Sequence, residues 1–166
     1  MEKLWSPWRS QYIESIKDKS DNDKCIFCVA ANQSLNDKES LLVEKGKKTY
    51  TVLNLYPYNN GHLMVVPYRH INDIELLTDE EKIEIFSKVQ LAVNALKKVS
   101  KPEGFNIGAN LGKVSGAGID EHIHFHIVPR WNGDTNFMPV LGDVKVLSQD
   151  LLATKSLLIK AYSELK

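Results

Sequence analysis

Apolar and polar positions alternate most strictly at residues 122–127, where Ile123, Phe125 and Ile127 fall between His122, His124 and His126. Successive side chains of a strand point to opposite faces, so this period predicts a strand with one face for a core and one face of imidazoles. Strands are also predicted in "LLVEKG", in "KKTYTVLNLYPY" with Tyr50, Val52 and Asn54 on one side, and in "HLMVVPY", which Pro67 terminates. Asn59-Asn60-Gly61 is a turn signal, and "FNIGANLG" alternates Phe105, Ile107, Ala109 and Leu111 as a strand does. Between them the period becomes helical. Thr78 and Glu81 form a capping-box signature, followed by Ile83, Phe86, Val89, Val93 and Leu96 at helical spacing. A last amphipathic helix begins near Asp150 and carries Leu151, Leu152, Leu157, Leu158, Tyr162 and Leu165, and a short one runs from about Pro7 to Ile16. Three strands, a helix, two strands and a helix predict an α+β fold, an antiparallel sheet with helices packed on it. A parallel sheet would need more crossover helices.

Neither repeats nor a long Gly/Ser/Pro linker divides the 166 residues, which predicts one domain over 1–166. Lys plus Arg and Asp plus Glu both number 21, giving zero formal charge. No global field would therefore draw the chain to nucleic acid or to an anionic membrane, and any phosphate site must be local. "MEKLWSPWRSQYIESIK" lacks the apolar run of a signal peptide, and the longest apolar stretches are too short to span a bilayer, so the expected location is the cytoplasm. In that reducing compartment the only two cysteines, Cys25 and Cys28, read as metal ligands, a redox pair or inert thiols rather than a structural disulfide.

Burying three imidazoles without partners would cost about 1–3 kcal/mol for each unsatisfied group, so a row of them implies work to do. From His122 to His126 is about 13 Å along a strand, whereas zinc–nitrogen bonds are about 2.0–2.1 Å. A metal takes one or two of the row at most. The rest are left for acid–base, nucleophilic or phosphate-binding roles. Cys25-x-x-Cys28 has the pair spacing of zinc sites, and His70 offers a further ligand. "GKVSGAGID" reads either as a phosphate-cradling loop or as an ordinary connection into the histidine row. Trp131 follows the row, where its ring would stack on a base or pack against the fold.

With its apolar spacers, "HIHFHIV" at 122–128 resembles the signature of the histidine triad family. "TVLNLYPYNNGHLMVVPYRH" resembles that family's upstream hairpin and "FNIGANLGKVSGAGIDEH" its strand and phosphate loop. "LWSPWRSQYI" and "PRWNGDTNF" are most similar to the bacterial diadenosine tetraphosphate phosphorylase branch. The resemblance implies an antiparallel sheet of about five strands that pairs across a homodimer, and nucleotidyl transfer through a covalent histidine. By position it makes His124 the nucleophile and His126 a phosphate contact, with His62 in support. Asn54 would hold the ribose, and Asn110 with Ser115, Gly116, Ala117 and Gly118 the phosphates. Similarity to zinc-bearing relatives assigns Cys25, Cys28, His70 and His122 to one structural zinc. The expected substrate is a small nucleotide, with inorganic phosphate as acceptor; water is the alternative, since Gly118 has no side chain where many triad enzymes carry Gln, Ser or Thr. A hydrolase or phosphoramidase yielding AMP, or a nucleotide-binding regulatory module, are the other readings.

Overall fold

The computed structural model describes residues 25–116, 118–135 and 149–166; the helix expected over Pro7 to Ile16 and the loop residue Ala117 lie outside them. Five strands form one antiparallel sheet: β1 (Leu42–Lys45), β2 (Thr49–Leu53), β3 (Leu63–Pro67), β4 (Gly104–Gly108) and β5 (Phe125–Arg130), in the order β1-β2-β3-β5-β4. Among the described residues three α-helices complete the fold, α1 (Ile26–Ala31), α2 (Asp79–Ser100) and α3 (Leu151–Leu165). None of them is long and apolar enough to cross a membrane.

Thr78 caps α2 with the expected box, its side chain accepting from Glu81 N while the Glu81 carboxylate accepts from Thr78 N. Arg69 grips the same carboxylate through Nε and Nη2 at 2.7 and 2.6 Å, holding it down to about 2, and so ties the chain leaving β3 to the start of α2. Asp150 caps α3 in the predicted place. One sheet face buries Val43, Leu53, Leu63, Val65, Ile123 and Ile127 under α2 and α3. On the other, Tyr50, Val52, Met64 and Val66 pack with Phe27 of α1. Met64 is the register partner of His126, which places His126 on that second face, towards α1.

Three details differ from the sequence pattern. The buried stripe of α2 is Ile85, Val89, Ala92, Ala95 and Leu96, leaving Ile83 and Phe86 each 70% exposed. Alanines at 92 and 95 let the helix lie close to the sheet, and the larger Phe86 faces outward. β4 ends at Gly108, so Ala109 and Leu111 belong to the loop. β5 begins only at Phe125; His122 and His124 precede it, in a segment where Ile123 N donates to Ile71 O at 2.7 Å. Pro129 is tolerated in an interior strand because β3 pairs no further than Leu63 with Ile127, and the Pro129 carbonyl meets Asn59 Nδ2 instead.

Candidate active site and metal centre

The three imidazoles do not line an open trough. His122, His124 and His126 are only 1%, 6% and 8% exposed, while Ile123 and Ile127 fill the core on the opposite side. Phe27 separates the row into two parts, its ring 5.5 Å from that of His122 and 4.7 Å from that of His124. A six-residue helix was not legible in the sequence; it exists because Tyr50 OH donates to Phe27 O at 2.6 Å and the Phe27 ring is buried.

On one side of Phe27 lies a group that could hold a metal ion. Cys25 is the N-cap of α1 and Cys28 sits in its first turn, so both thiols face the same way. Cys25 Sγ is 3.3 Å and Cys28 Sγ 3.7 Å from His122 Nδ1, and Cys28 Sγ is 3.4 Å from His70 Nδ1. All four ligand atoms lie within 4.8 Å of one another. A tetrahedral zinc with two sulfur and two nitrogen ligands has edges of about 3.3–3.8 Å, so the four residues fit one ion. His122 Nε2–H donates to Pro67 O at 2.9 Å, which leaves the lone pair on Nδ1, the nitrogen facing the cysteines. Burial and the neighbouring Cys25 push the Cys28 thiol up, a crowding that a bound cation would relieve by taking the thiols as thiolates.

On the other side the proton positions follow from obligate donors. His124 Nδ1 is 2.8 Å from the carbonyl of His122, an acceptor only, so Nδ1 carries the proton and Nε2 carries the lone pair. His62 Nδ1 receives Tyr58 N–H at 3.1 Å and Asn54 Nδ2 at 3.2 Å; Asn54 Oδ1 meanwhile accepts from Tyr56 N. His62 is therefore protonated at Nε2 and donates to His126 Nδ1 at 2.9 Å. His126 in turn carries its own proton on Nε2, a buried nitrogen with no partner among the described residues. Adjacent rings, 4.7 Å apart between centroids, thus present a base nitrogen at His124 and an N–H at His126. Burial pulls both imidazoles below the ordinary histidine range, His126 to about 4 with His124 adding to the effect. For His124 the hydrogen bond to His122 partly opposes the shift. Both rings are neutral at pH 7.

Of the remaining predicted residues, Asn54 is joined to this pair through His62, as described. Asn110 is half-buried and opens the loop that contains Ser115, Gly116 and Gly118; Ser115 Oγ donates to Gly112 O at 2.6 Å. Trp131 lies beyond β5, its indole N–H on Ser100 O at the end of α2. Tyr58, Asn59 and Asp134 were missed by the sequence reading. Tyr58 stacks on His62 and His126 at 4.7 and 5.6 Å, and Asn59 joins Asp134 at 2.8 Å. The turn signal at 59–61 located Asn59 but said nothing of its partners.

A family model for the HIT domain matches residues 36–133. The AP-4-A phosphorylase of Mycobacterium tuberculosis is 45% identical over 166 residues, covering 98% of this chain and 85% of that protein. An uncharacterised HIT-like protein of Methanocaldococcus jannaschii is 34% identical over 126 residues, 76% of this chain and 93% of that protein. Among solved structures, a hypothetical histidine triad nucleotide-binding protein from Sulfolobus tokodaii superposes with a TM-score of 0.69 at 25% identity, covering 86% of this chain and 94% of that one. The sheet order, the alternating histidines and these matches together establish that the chain belongs to the histidine triad (HIT) family.

Proposed function

We propose that this HIT-family enzyme transfers a nucleotidyl group through a covalent nucleotidyl-histidine, and that its reaction is the phosphorolysis of diadenosine tetraphosphate to ADP and ATP. The observation that carries the chemistry is the hydrogen bond from His124 Nδ1–H to the His122 carbonyl, which leaves a neutral imidazole with its lone pair on Nε2. A nitrogen in that state is a nucleophile at pH 7. His124 Nε2 attacks the α-phosphorus; a P–N bond forms, the α–β anhydride bond breaks, and ATP leaves. His126 Nε2–H hydrogen-bonds the phosphate as charge develops there. In the second step an oxygen of inorganic phosphate attacks the same phosphorus, the P–N bond breaks and ADP leaves. The choice of substrate rests on the 45% identity to the AP-4-A phosphorylase.

Around that centre Asn54 holds the ribose, and Asn110 with Ser115, Gly116, Ala117 and Gly118 supplies phosphate contacts; Trp131 borders the nucleotide. Zinc occupies the Cys25, Cys28, His70 and His122 group and is structural, fixing His122 and so the carbonyl that orients His124. Residues 1–166 act as one HIT domain in the cytoplasm, paired as a homodimer through β4. That strand is a sheet edge whose Ile107 is 51% exposed.

Incubation with diadenosine tetraphosphate, with and without inorganic phosphate, tests the reaction. ADP and ATP formed only with phosphate, and lost in His124→Ala, are the expected products. AMP and ATP in either buffer would make water the acceptor, and no turnover in any buffer would refute the proposal.

A further inference from the structure

Apart from Trp131, the segment "PRWNGD", residues 129–134, has no part in the chemistry above, yet its acid is among the most heavily bonded groups of the described residues. Gly133 takes φ 76°, as the third residue of a tight turn requires, and Asp134 N closes that turn on Trp131 O at 3.1 Å. The Asp134 side chain is 6% exposed. Its Oδ2 accepts from Arg130 Nε at 2.6 Å, Trp131 N at 3.1 Å and Asn59 Nδ2 at 2.8 Å; its Oδ1 accepts from Arg130 Nη2 at 2.8 Å. Arg130 Nη1 reaches Asn106 Oδ1 on β4 at 2.8 Å. The carboxylate therefore ties the end of β5 to β4 and to a single residue of the 54–62 loop, Asn59.

Asn59 is itself buried and has both amide hydrogens engaged, one on Asp134 and one on Pro129 O at 3.1 Å. Its own carbonyl accepts His62 N at 3.2 Å. Within the site, the stretch between Asn54 and His62 aims Tyr58 N–H and Asn54 Nδ2 at His62 Nδ1. Either N–H on Nδ1 keeps the His62 proton on Nε2, and with it the His126 proton on Nε2. With both displaced, the His62–His126 hydrogen bond can form with its proton on either ring, and only one arrangement leaves an N–H on the free side of His126.

We propose that Asp134, clamped by Arg130 and acting through Asn59, is a positioning residue that fixes which nitrogen of His126 bears the proton. Asp134 touches no reacting atom. The tautomer claim stands on the hydrogen-bond geometry alone, and only its kinetic consequence rests on the proposed reaction.

The test is nitrogen-15 NMR of the histidine rings in the intact protein, with turnover of diadenosine tetraphosphate measured beside it. In the parent, His126 is expected as a single Nε2–H tautomer. In Asp134→Ala and in Asn59→Ala it is expected as a mixture, with kcat lowered about 10- to 100-fold and KM changed less than about threefold. The double variant is expected to be no slower than the slower single, because the two act in series. Leu158→Ala, which removes core packing at α3, should lower the melting temperature and leave the tautomer intact. Should Asp134→Ala fail to fold, Asp134→Asn gives the same readout with the shape retained. A His126 tautomer unchanged in the folded variant, a mixture already present in the parent, or additive losses in the double variant would overturn the inference. If the tautomer shifts as expected while the parent does not turn over this substrate, the positioning role holds and the proposed reaction fails.

Discussion

Burial, reinforced by His124, holds His126 at about 4 against an ordinary 6.5. The ring is neutral in the fold, and the unfolded chain takes up a proton there as the pH drops below 6.5. The stability this ring contributes is therefore present above pH 6.5 and lost as the pH falls toward 4, by about 3 kcal/mol at the lower end. Glu81 is held down chiefly by its hydrogen bond from Arg69, and its contribution fades only between 4.5 and about 2, so the window from 6.5 to 4.5 reports imidazoles. Urea unfolding of the parent and of His126→Gln across that window should show a steeper loss in the parent; equal slopes would contradict the assignment. Much of this centre was legible at the residue level, because imidazole and thiolate are scarce side chains with few uses. His122, at four strand steps from His126, could already be separated from it as a ligand. The tautomers were not legible, since they depend on carbonyls and amides of other segments, His122 O, Tyr58 N and Pro67 O.

Among the elements, β1 to β3 and both long helices stand where the hydrophobic periods place them, whereas β4 stops at Gly108 and β5 starts only at Phe125, each shorter than its alternation; Thr78 and Asp150 begin the helices as their side chains predict. On α2, Val89 and Leu96 are buried as the spacing predicts, but Ile83 and Phe86 are not. Two interleaved apolar stripes run along "EKIEIFSKVQLAV", and large residues drew the reading to Ile83 and Phe86. Close packing on the sheet instead favours the stripe that contains Ala92 and Ala95. The difference is measurable: Ile85→Ala should cost about 2–5 kcal/mol in denaturant unfolding, and Phe86→Ser no more than about 0.5. The reverse order would mean that the helix is turned by about one position. Short α1 has no periodic signature at all; its place is set by Phe27, buried between the two histidine groups, and by the hydrogen bond from Tyr50.

For the whole molecule, the candidate metal group and the proposed nucleophile are linked by one residue. His122 turns Nδ1 to the cysteines and its carbonyl to His124, so the cluster that joins α1 to the strand-end segments also sets the orientation of His124. Elemental analysis of protein purified without added metal should find about one zinc per chain. Stripping it with a chelator should lower both the melting temperature and turnover, and zinc should restore both. A metal-free protein that is equally stable and equally active would sink the structural-zinc reading. The covalent step at His124 is tested by intact-protein mass spectrometry after mixing with diadenosine tetraphosphate in phosphate-free buffer. One added AMP per chain is expected, located on His124, absent in His124→Ala and discharged as ADP when phosphate is supplied. Product formation without any such adduct, or persisting in His124→Ala, would contradict it.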